Sequence, residues 1–175
     1  MTLVFDLETD GLLDRVTRIH CIAIYDSETN ETTTYNDECP GKGMSEPVVR
    51  AVQYLEQAES IVGHNIIGFD IPVIRRLYPF FNFTGTAIDT LILSRLYHNR
   101  IIETDKAKFK DIPGRLKGRH SLEAYGYRLG EYKGEFSKTT DWKEWSQEME
   151  DYCIQDVRVT TKLCDHFHPY LIGSR

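Results

Sequence analysis

Two carboxylates, Asp6 and Glu8, flank Leu7 near the start of the chain. In a strand, residues i and i+2 project from one face, so both acids would point together at the strand's carboxyl end. Far downstream, Tyr152 and Asp156 lie four residues apart, a spacing that shares one face of a helix. Between them, His64-Asn65-Ile66-Ile67-Gly68-Phe69-Asp70 follows a short apolar run and leads into a helical pattern, with Asp70 near the first turn. If these elements converge, three aspartates, a glutamate and a tyrosine surround one cleft. Crowded carboxylates raise one another's pKa, and a pair of divalent cations removes that difficulty. Carboxylate oxygens select hard ions, so Mg²⁺ or Mn²⁺ is expected rather than zinc. Two such ions, about 3.5–4 Å apart, can clamp the attacking and leaving oxygens of a phosphoryl displacement. The tyrosine hydroxyl can orient the water.

Each piece also has a bland reading. Asp70 alone suits a helix N-cap, where its carboxylate would accept from orphan amides. Tyr152 and Asp156 alone read as a half-buried aromatic and a surface acid, and His64 as a satisfied core histidine. The functional reading gains from all the pieces occurring in order on compatible elements.

Those elements are read from periodicity. Apolar runs predict strands over Leu3–Leu7, Arg18–Tyr25, Glu31–Tyr35, Ser60–Gly63 and Thr86–Asp89, with a loop over residues 36–45. Helical patterns cover Pro47–Glu59, Asp70–Tyr78 with Pro72 in its first turn, Thr90–Tyr97, Ser121–Leu129 and Glu144–Phe167, the last ended by Pro169. Residues 99–120 read as a long irregular basic stretch. The expected fold is α/β: a mixed five-stranded sheet, opening as an antiparallel meander and continuing with parallel strands, flanked by helices.

A chain of 175 residues fits one domain, 1–175, and 41% hydrophobic with 27% charged residues suits a packed core. A net charge of −6 argues against coating duplex DNA by electrostatics alone. The cysteines Cys21, Cys39, Cys153 and Cys164 form no CxxC pair, so a zinc knuckle is not expected and reduced thiols in a cytoplasmic protein are. MTLVFDLETDG lacks the basic start of a signal peptide, and no apolar run approaches the roughly 20 residues that span a bilayer, so no membrane partner is expected.

Asp6-Leu-Glu8, Asn65-x₃-Phe69-Asp70 and Tyr152-x₃-Asp156 resemble the three exonuclease motifs of the DnaQ-like superfamily, which has an RNase H-like fold. The tyrosine points to the DEDDy branch; the histidine branch carries His where Asp151 stands. The stretches IDTLILSRLYH, HSLEAYGYRLGEYKGEF and EMEDYCIQDVRVTTKL resemble the proofreading domain of family A polymerases from T-odd, short-tailed phages, a likeness covering about residues 3–167. It implies a 3′→5′ exonuclease that releases 5′-mononucleotides from the 3′ end of single-stranded DNA. It also implies that Asp6, Glu8 and Asp156 ligate one metal, that Asp6 also ligates a second, and that Asp70 supports the second through water. Tyr152 would orient the attacking water with Glu8. Thr9 and Leu12 match positions that hold the terminal nucleotide, Leu12 as an apolar wedge, and Asn65 matches one near the strand's backbone.

Residues 95–119 carry eight cationic side chains against three acidic ones. Within this tract Lys106, Lys108, Lys110, Arg115, Lys117 and Arg119 suit either a flexible phosphate-tracking arm or a loop that meets a polymerase domain in cis or in trans. Tyr125, Tyr127 and Tyr132 could stack on bases, but Leu122, Tyr125 and Leu129 share a helix face, so Tyr125 is read as core. Trp142 and Trp145, three apart, are read as packing. The segment from Phe136 to Trp142 is shorter than the family pattern. The motifs do not separate DNA from RNA, and a non-catalytic module with the same fold is the alternative from another class. The chain stops at Arg175, leaving open an excised domain, a free-standing exonuclease or a piece of a split polymerase.

Overall fold

The computed structural model of the chain describes residues 1–38, 46–131 and 142–174. The loop expected over 36–45 for the most part, the base-stacking reading of Tyr132 and the short segment after Phe136 lie outside the described residues. Strands β1 (Thr2–Thr9), β2 (Ile19–Asp26), β3 (Glu31–Asn36), β4 (Ser60–Gly63) and β5 (Thr86–Asp89) form one sheet in the order β3-β2-β1-β4-β5. β1, β2 and β3 pair antiparallel, and β4 is parallel to both β1 and β5. This is the mixed sheet expected from the sequence, with β4 and β5 at the expected bounds.

Alternation along β1 divides its side chains between two cores. Leu3, Phe5 and Leu7 enter the larger one, which is completed by α1 (Val48–Glu56) and α2 (Asp70–Leu77). Val4 enters the smaller one on the other face, under α6 (Gln147–Leu171), which contributes Met149, Cys153 and Val157. Asp6 and Glu8 continue the Val4 face, so β1 directs its acids toward α6. The far half of α6 buries Leu163 and Phe167 against Ile101, Leu122 and Tyr125, each such apolar side chain contributing about 1.5–3 kcal/mol.

The start of α6 is fixed twice. Ser146 caps it by accepting from the Met149 N–H at 3.2 Å. Glu150, buried, accepts from Thr34 Oγ1 and Asn36 Nδ2, each at 2.6 Å, which ties the first turn to β3. Ser146→Ala is expected to lower unfolding stability by about 1 kcal/mol, the usual worth of an N-cap, as read from urea denaturation.

Several expectations need correction. Residues 99–120 are not an irregular loop. They contain α4 (Ile101–Lys108) and a single 3₁₀ turn at Gly114–Leu116. The local sequence of α4 has almost no apolar stripe; its order comes from Asp105, which is fully buried and accepts from Arg128 Nε and Nη2 and from the Gly118 N–H, each at 2.8 Å. Arg128 lies on α5 (Leu122–Leu129), so the anchor is tertiary and invisible to periodicity. The expected helix over Pro47–Glu59 is shorter, Val48–Glu56. Pro169 does not end α6; it sits in the last turn, where the one carbonyl it leaves without a helical donor belongs to exposed Asp165. The last helix starts at Gln147 rather than Glu144, because Ser146 caps it, so Trp142 and Trp145 both precede it. Among the described residues no helix is long and apolar enough to cross a membrane.

Candidate active site

Three separate elements bring the acids together. β1 and β4 pair from Thr2–Ser60 only as far as Val4–Val62, which leaves the β1 edge beyond Val4 open on that side. The chain leaves β4 through Gly63, where an added Cβ would lie 2.1 Å from Ile66 Cγ2 and 2.9 Å from the Phe5 carbonyl oxygen, so no side chain fits. Asn65 then takes a left-handed conformation, φ 69°, one of the few non-glycine types that tolerate it. The tight turn seats Asp70 at the first residue of α2, buried, with its carboxylate accepting from its own N–H and from Leu7. Asp70 therefore meets β1 between the two acids of Asp6-Leu7-Glu8.

Asp89 holds this turn, and the sequence reading missed it. Its carboxylate accepts from the Asn65 and Ile67 N–H groups at 3.0 and 3.1 Å, and from Leu91 at 2.9 Å as the N-cap of α3 (Thr90–Tyr97). The available signal was Asp before a helical run, which announces a cap but not the second task. His64 is the satisfied histidine expected: its Nδ1 lies 2.9 Å from Thr90 Oγ1, and burial lowers its pKa to about 4, so it is neutral at physiological pH.

On the opposite wall, α6 presents Tyr152 and Asp156 on one face, joined by a side-chain hydrogen bond in which the hydroxyl donates to the carboxylate. One residue along, the buried Cys153 thiol donates to the Asp6 carbonyl oxygen at 3.3 Å, fixing α6 directly against β1. Donor atoms of Asp6, Glu8 and Cys153 lie within 4.8 Å of one another. The acids keep some surface toward the cleft, yet protein surrounds them closely. Burial, then Glu8 and Asp156, hold the Asp6 carboxyl well above its ordinary range; burial, then Asp156, do the same for Glu8. Burial raises Asp70 and Asp156 to about 7 each. The Tyr152 hydroxyl is pushed up by burial and by Asp156, Glu8 and Asp6, so it stays protonated.

Next to the acids is an apolar cleft of about 340 Å³ whose walls include Thr9, Leu12, Phe69 and Trp142. Thr9 is buried and donates to the Gly11 carbonyl oxygen at 2.8 Å, and Leu12 is 75% exposed, standing free at the rim. Trp142 was read only as packing. It packs against the small core and also walls this cleft, with its ring 6.5 Å from that of Tyr152. A second groove, about 470 Å³, includes His64, Asn65, Arg95, Arg119 and His120 in its walls.

The other basic residues of the tract are dispersed. Arg115 is paired with Glu123. Lys106 and Lys108 ride on α4, Lys110 is exposed and Lys117 half-buried. Tyr125 is core, as expected, with its hydroxyl 2.6 Å from Ser94 Oγ.

A family model of the RNase_H superfamily matches residues 3–168. The chain belongs to that superfamily. It is 34% identical to the DNA-directed DNA polymerase of Escherichia phage T7 and 35% identical to that of Enterobacteria phage T3, each over 93% of this chain and 26% of the relative. The likeness to the exonuclease part of phage polymerases therefore holds, while the chain spans about a quarter of the length of these relatives. Brucella melitensis NrnC with bound Mg²⁺ superposes with a TM-score of 0.65 at 19% identity, covering 99% of this chain and 74% of that one. An E. coli exonuclease I–single-stranded DNA complex in its zinc-bound form gives 0.58 at 19% identity, covering 99% and 42%. These structures share the fold.

Proposed function

We propose that the chain is a metal-dependent 3′→5′ exonuclease that removes 5′-mononucleotides from single-stranded DNA and proofreads for a DNA polymerase joined in cis or acting in trans. The observation that carries this reading is the convergence of four carboxylates, from β1, α2 and α6, with the Tyr152 hydroxyl in one cleft. Four closely enclosed acids, all with pKa values raised by burial and with Asp6 and Glu8 raised further by their neighbours in the set, are stable as a charged set only with cations among them. Their oxygens fit Mg²⁺ or Mn²⁺; Cys153, whose sulfur lies within reach of Asp6 and Glu8, is buried and engaged with the Asp6 carbonyl.

In this reading Asp6, Glu8, Asp70 and Asp156 hold two divalent ions. When bound, the ions activate water and stabilise the departing 3′ oxygen. Tyr152, protonated and hydrogen-bonded to Asp156, orients that water together with Glu8. Thr9 and Leu12, with Phe69 and Trp142, hold the terminal nucleotide in the apolar cleft, and Leu12 wedges against the last base pair of the strand. Asn65 and Arg119 meet the strand's backbone in the adjacent groove, with Arg95 beside them, and Lys106, Lys108, Lys110, Arg115 and Lys117 add a longer-range field. The choice of DNA rests on the phage DNA-directed DNA polymerases among the relatives.

Arg119→Ala is expected to weaken binding to single-stranded DNA and to reduce the slope of log affinity against log salt by roughly one unit, measured by fluorescence anisotropy from 50 to 200 mM salt. An unchanged slope would remove Arg119 from the strand path. For the activity itself, 5′-labelled DNA and RNA oligonucleotides of one sequence are incubated with Mg²⁺ or Mn²⁺. The expected result is a ladder shortening from the 3′ end of the DNA, 5′-monophosphate products and no cleavage in EDTA. A ladder on RNA alone transfers the reading to an exoribonuclease. Cleavage that survives EDTA, or 3′-phosphate products, contradicts the mechanism, and metal binding without cleavage of either strand leaves only a binding module.

A further inference from the structure

Beyond the carboxylates, a separate cavity of about 460 Å³ opens among the ends of α3 and α4, α5 and the last turns of α6. It includes His166, ten residues past Asp156 on the same helix, which at 1.5 Å per residue puts it about 15 Å along the axis from the acids. Its volume falls in the range of about 300–1,000 Å³ usual for small-ligand sites.

The wall has two chemistries. One side is aromatic: Tyr97 and Tyr170 lie with ring centroids 4.7 Å apart, and Tyr97 is 37% exposed. The His98 and His166 rings extend this surface, their Nε2 atoms 3.3 Å apart, and the Tyr125 hydroxyl lies 3.2 Å from His98 Nδ1. The other side is cationic. Arg100 and Lys108 stand exposed, and Arg128 lies deep, its guanidinium carbon 4.7 Å from the centre of the Tyr125 ring. No acidic side chain lines the cavity among the described residues, although the chain as a whole carries −6. Two carboxylates pair with this cationic side from outside the lining: Asp105 with Arg128, and Glu103 in an exposed 3.7 Å contact with Arg100 that costs little to exchange. Lys108 has no ion-pair partner among the described residues. The cationic side favours an anion, and the aromatic side offers a face on which a ring can stack.

We propose that this cavity binds a phosphorylated nucleoside, with its phosphate at Arg100 and Lys108 and its base against the Tyr97–Tyr170 wall. The ligand is either a free nucleoside 5′-monophosphate or one nucleotide of a strand; the recognition chemistry is the same, since every base offers a face for stacking. The site is independent of the carboxylates, and binding there needs no metal.

The test is isothermal titration of the whole chain in EDTA at low salt, with thymidine 5′-monophosphate, thymidine, inorganic phosphate and an oligothymidylate as separate titrants. The expected result is one site for thymidine 5′-monophosphate, with thymidine and phosphate each at least tenfold weaker. The Arg100→Ala/Lys108→Ala variant should weaken it at least tenfold. Both side chains are exposed, so the variant should fold, as checked by its thermal melt. Asp6→Asn should leave binding unchanged, which separates this site from the catalytic cleft. Oligothymidylate binding that is tighter than the monophosphate and lost in the same variant identifies a strand as the ligand; monophosphate binding without it identifies the free nucleotide. No binding of either, or binding unaffected by the double variant, overturns the proposal.

Discussion

Asp6→Ala is expected to reduce hydrolysis at least about a thousandfold, roughly 4 kcal/mol on the barrier, while leaving the metal-free protein no less stable than the wild type. Asp6 is the acid most tightly enclosed by the others: Glu8, Asp156 and Asp70 all raise its pKa on top of burial. Glu8→Ala should act in the same direction. The stability half of the prediction follows from linkage. A carboxyl whose folded pKa is raised above its unfolded value contributes stability that is fully present below the unfolded pKa and lost as pH rises through the folded one. For Asp70 and Asp156 that window runs from the ordinary value of 3.8 to about 7. The metal-free wild type should therefore melt progressively lower from pH 4 to pH 8, and removing one of the crowded charges should lessen that decline. Mg²⁺ should raise the melting temperature of the wild type near pH 7 and raise that of Asp6→Ala less. Calorimetry over this pH range, with and without Mg²⁺, reads all of it. A metal-free Asp6→Ala protein that melts well below the wild type would make the acid structural.

Tyr152→Phe is expected to slow the chemical step tenfold or more, about 1.4 kcal/mol or more, with little change in affinity for the strand end. The substitution removes one hydroxyl. That hydroxyl is protonated, enclosed, and hydrogen-bonded to Asp156 beside Glu8 and Asp6, where it can position water attacking a phosphate. An interaction that matters most in the transition state lowers the rate rather than the binding. The phenyl ring remains to meet Trp142 at the edge-on contact, so the wall of the cleft survives. Single-turnover cleavage with enzyme in excess separates rate from binding. An unchanged chemical step would leave Tyr152 as a wall residue and remove the reason for a tyrosine at that position.

The legible parts of this chain are those where local pattern and tertiary demand coincide. β4, β5 and α3 fall at the bounds read from sequence because turn chemistry brackets short apolar runs; Asp89, closing β5 and capping α3, marks one such boundary. Asp6 and Glu8 were recoverable from strand alternation, and Tyr152 with Asp156 from helical spacing. Asp70 was placed near a first turn, but its bond to Leu7, which carries it between the two β1 acids, depends on β4 ending where it does. What stayed hidden depends on distant partners. α4 is weakly amphipathic and exists through the buried Asp105–Arg128 pair. Trp142 was read as packing from its spacing with Trp145, but both precede the helix that Ser146 caps, and the indole also walls the cleft. The basic tract reads as one arm in sequence. In space Arg119 joins the groove beside Asn65 and Lys108 a different cavity, because α4 and the 3₁₀ turn part them.

The most direct test of the central claim is a crystal of the chain soaked with Mn²⁺ and a nucleoside 5′-monophosphate, measured for anomalous scattering. The account predicts two manganese peaks among Asp6, Glu8, Asp70 and Asp156, with the monophosphate against them and its base in the cleft beside Leu12. Manganese absent from these carboxylates at saturating concentration, or bound only elsewhere on the surface, would contradict it.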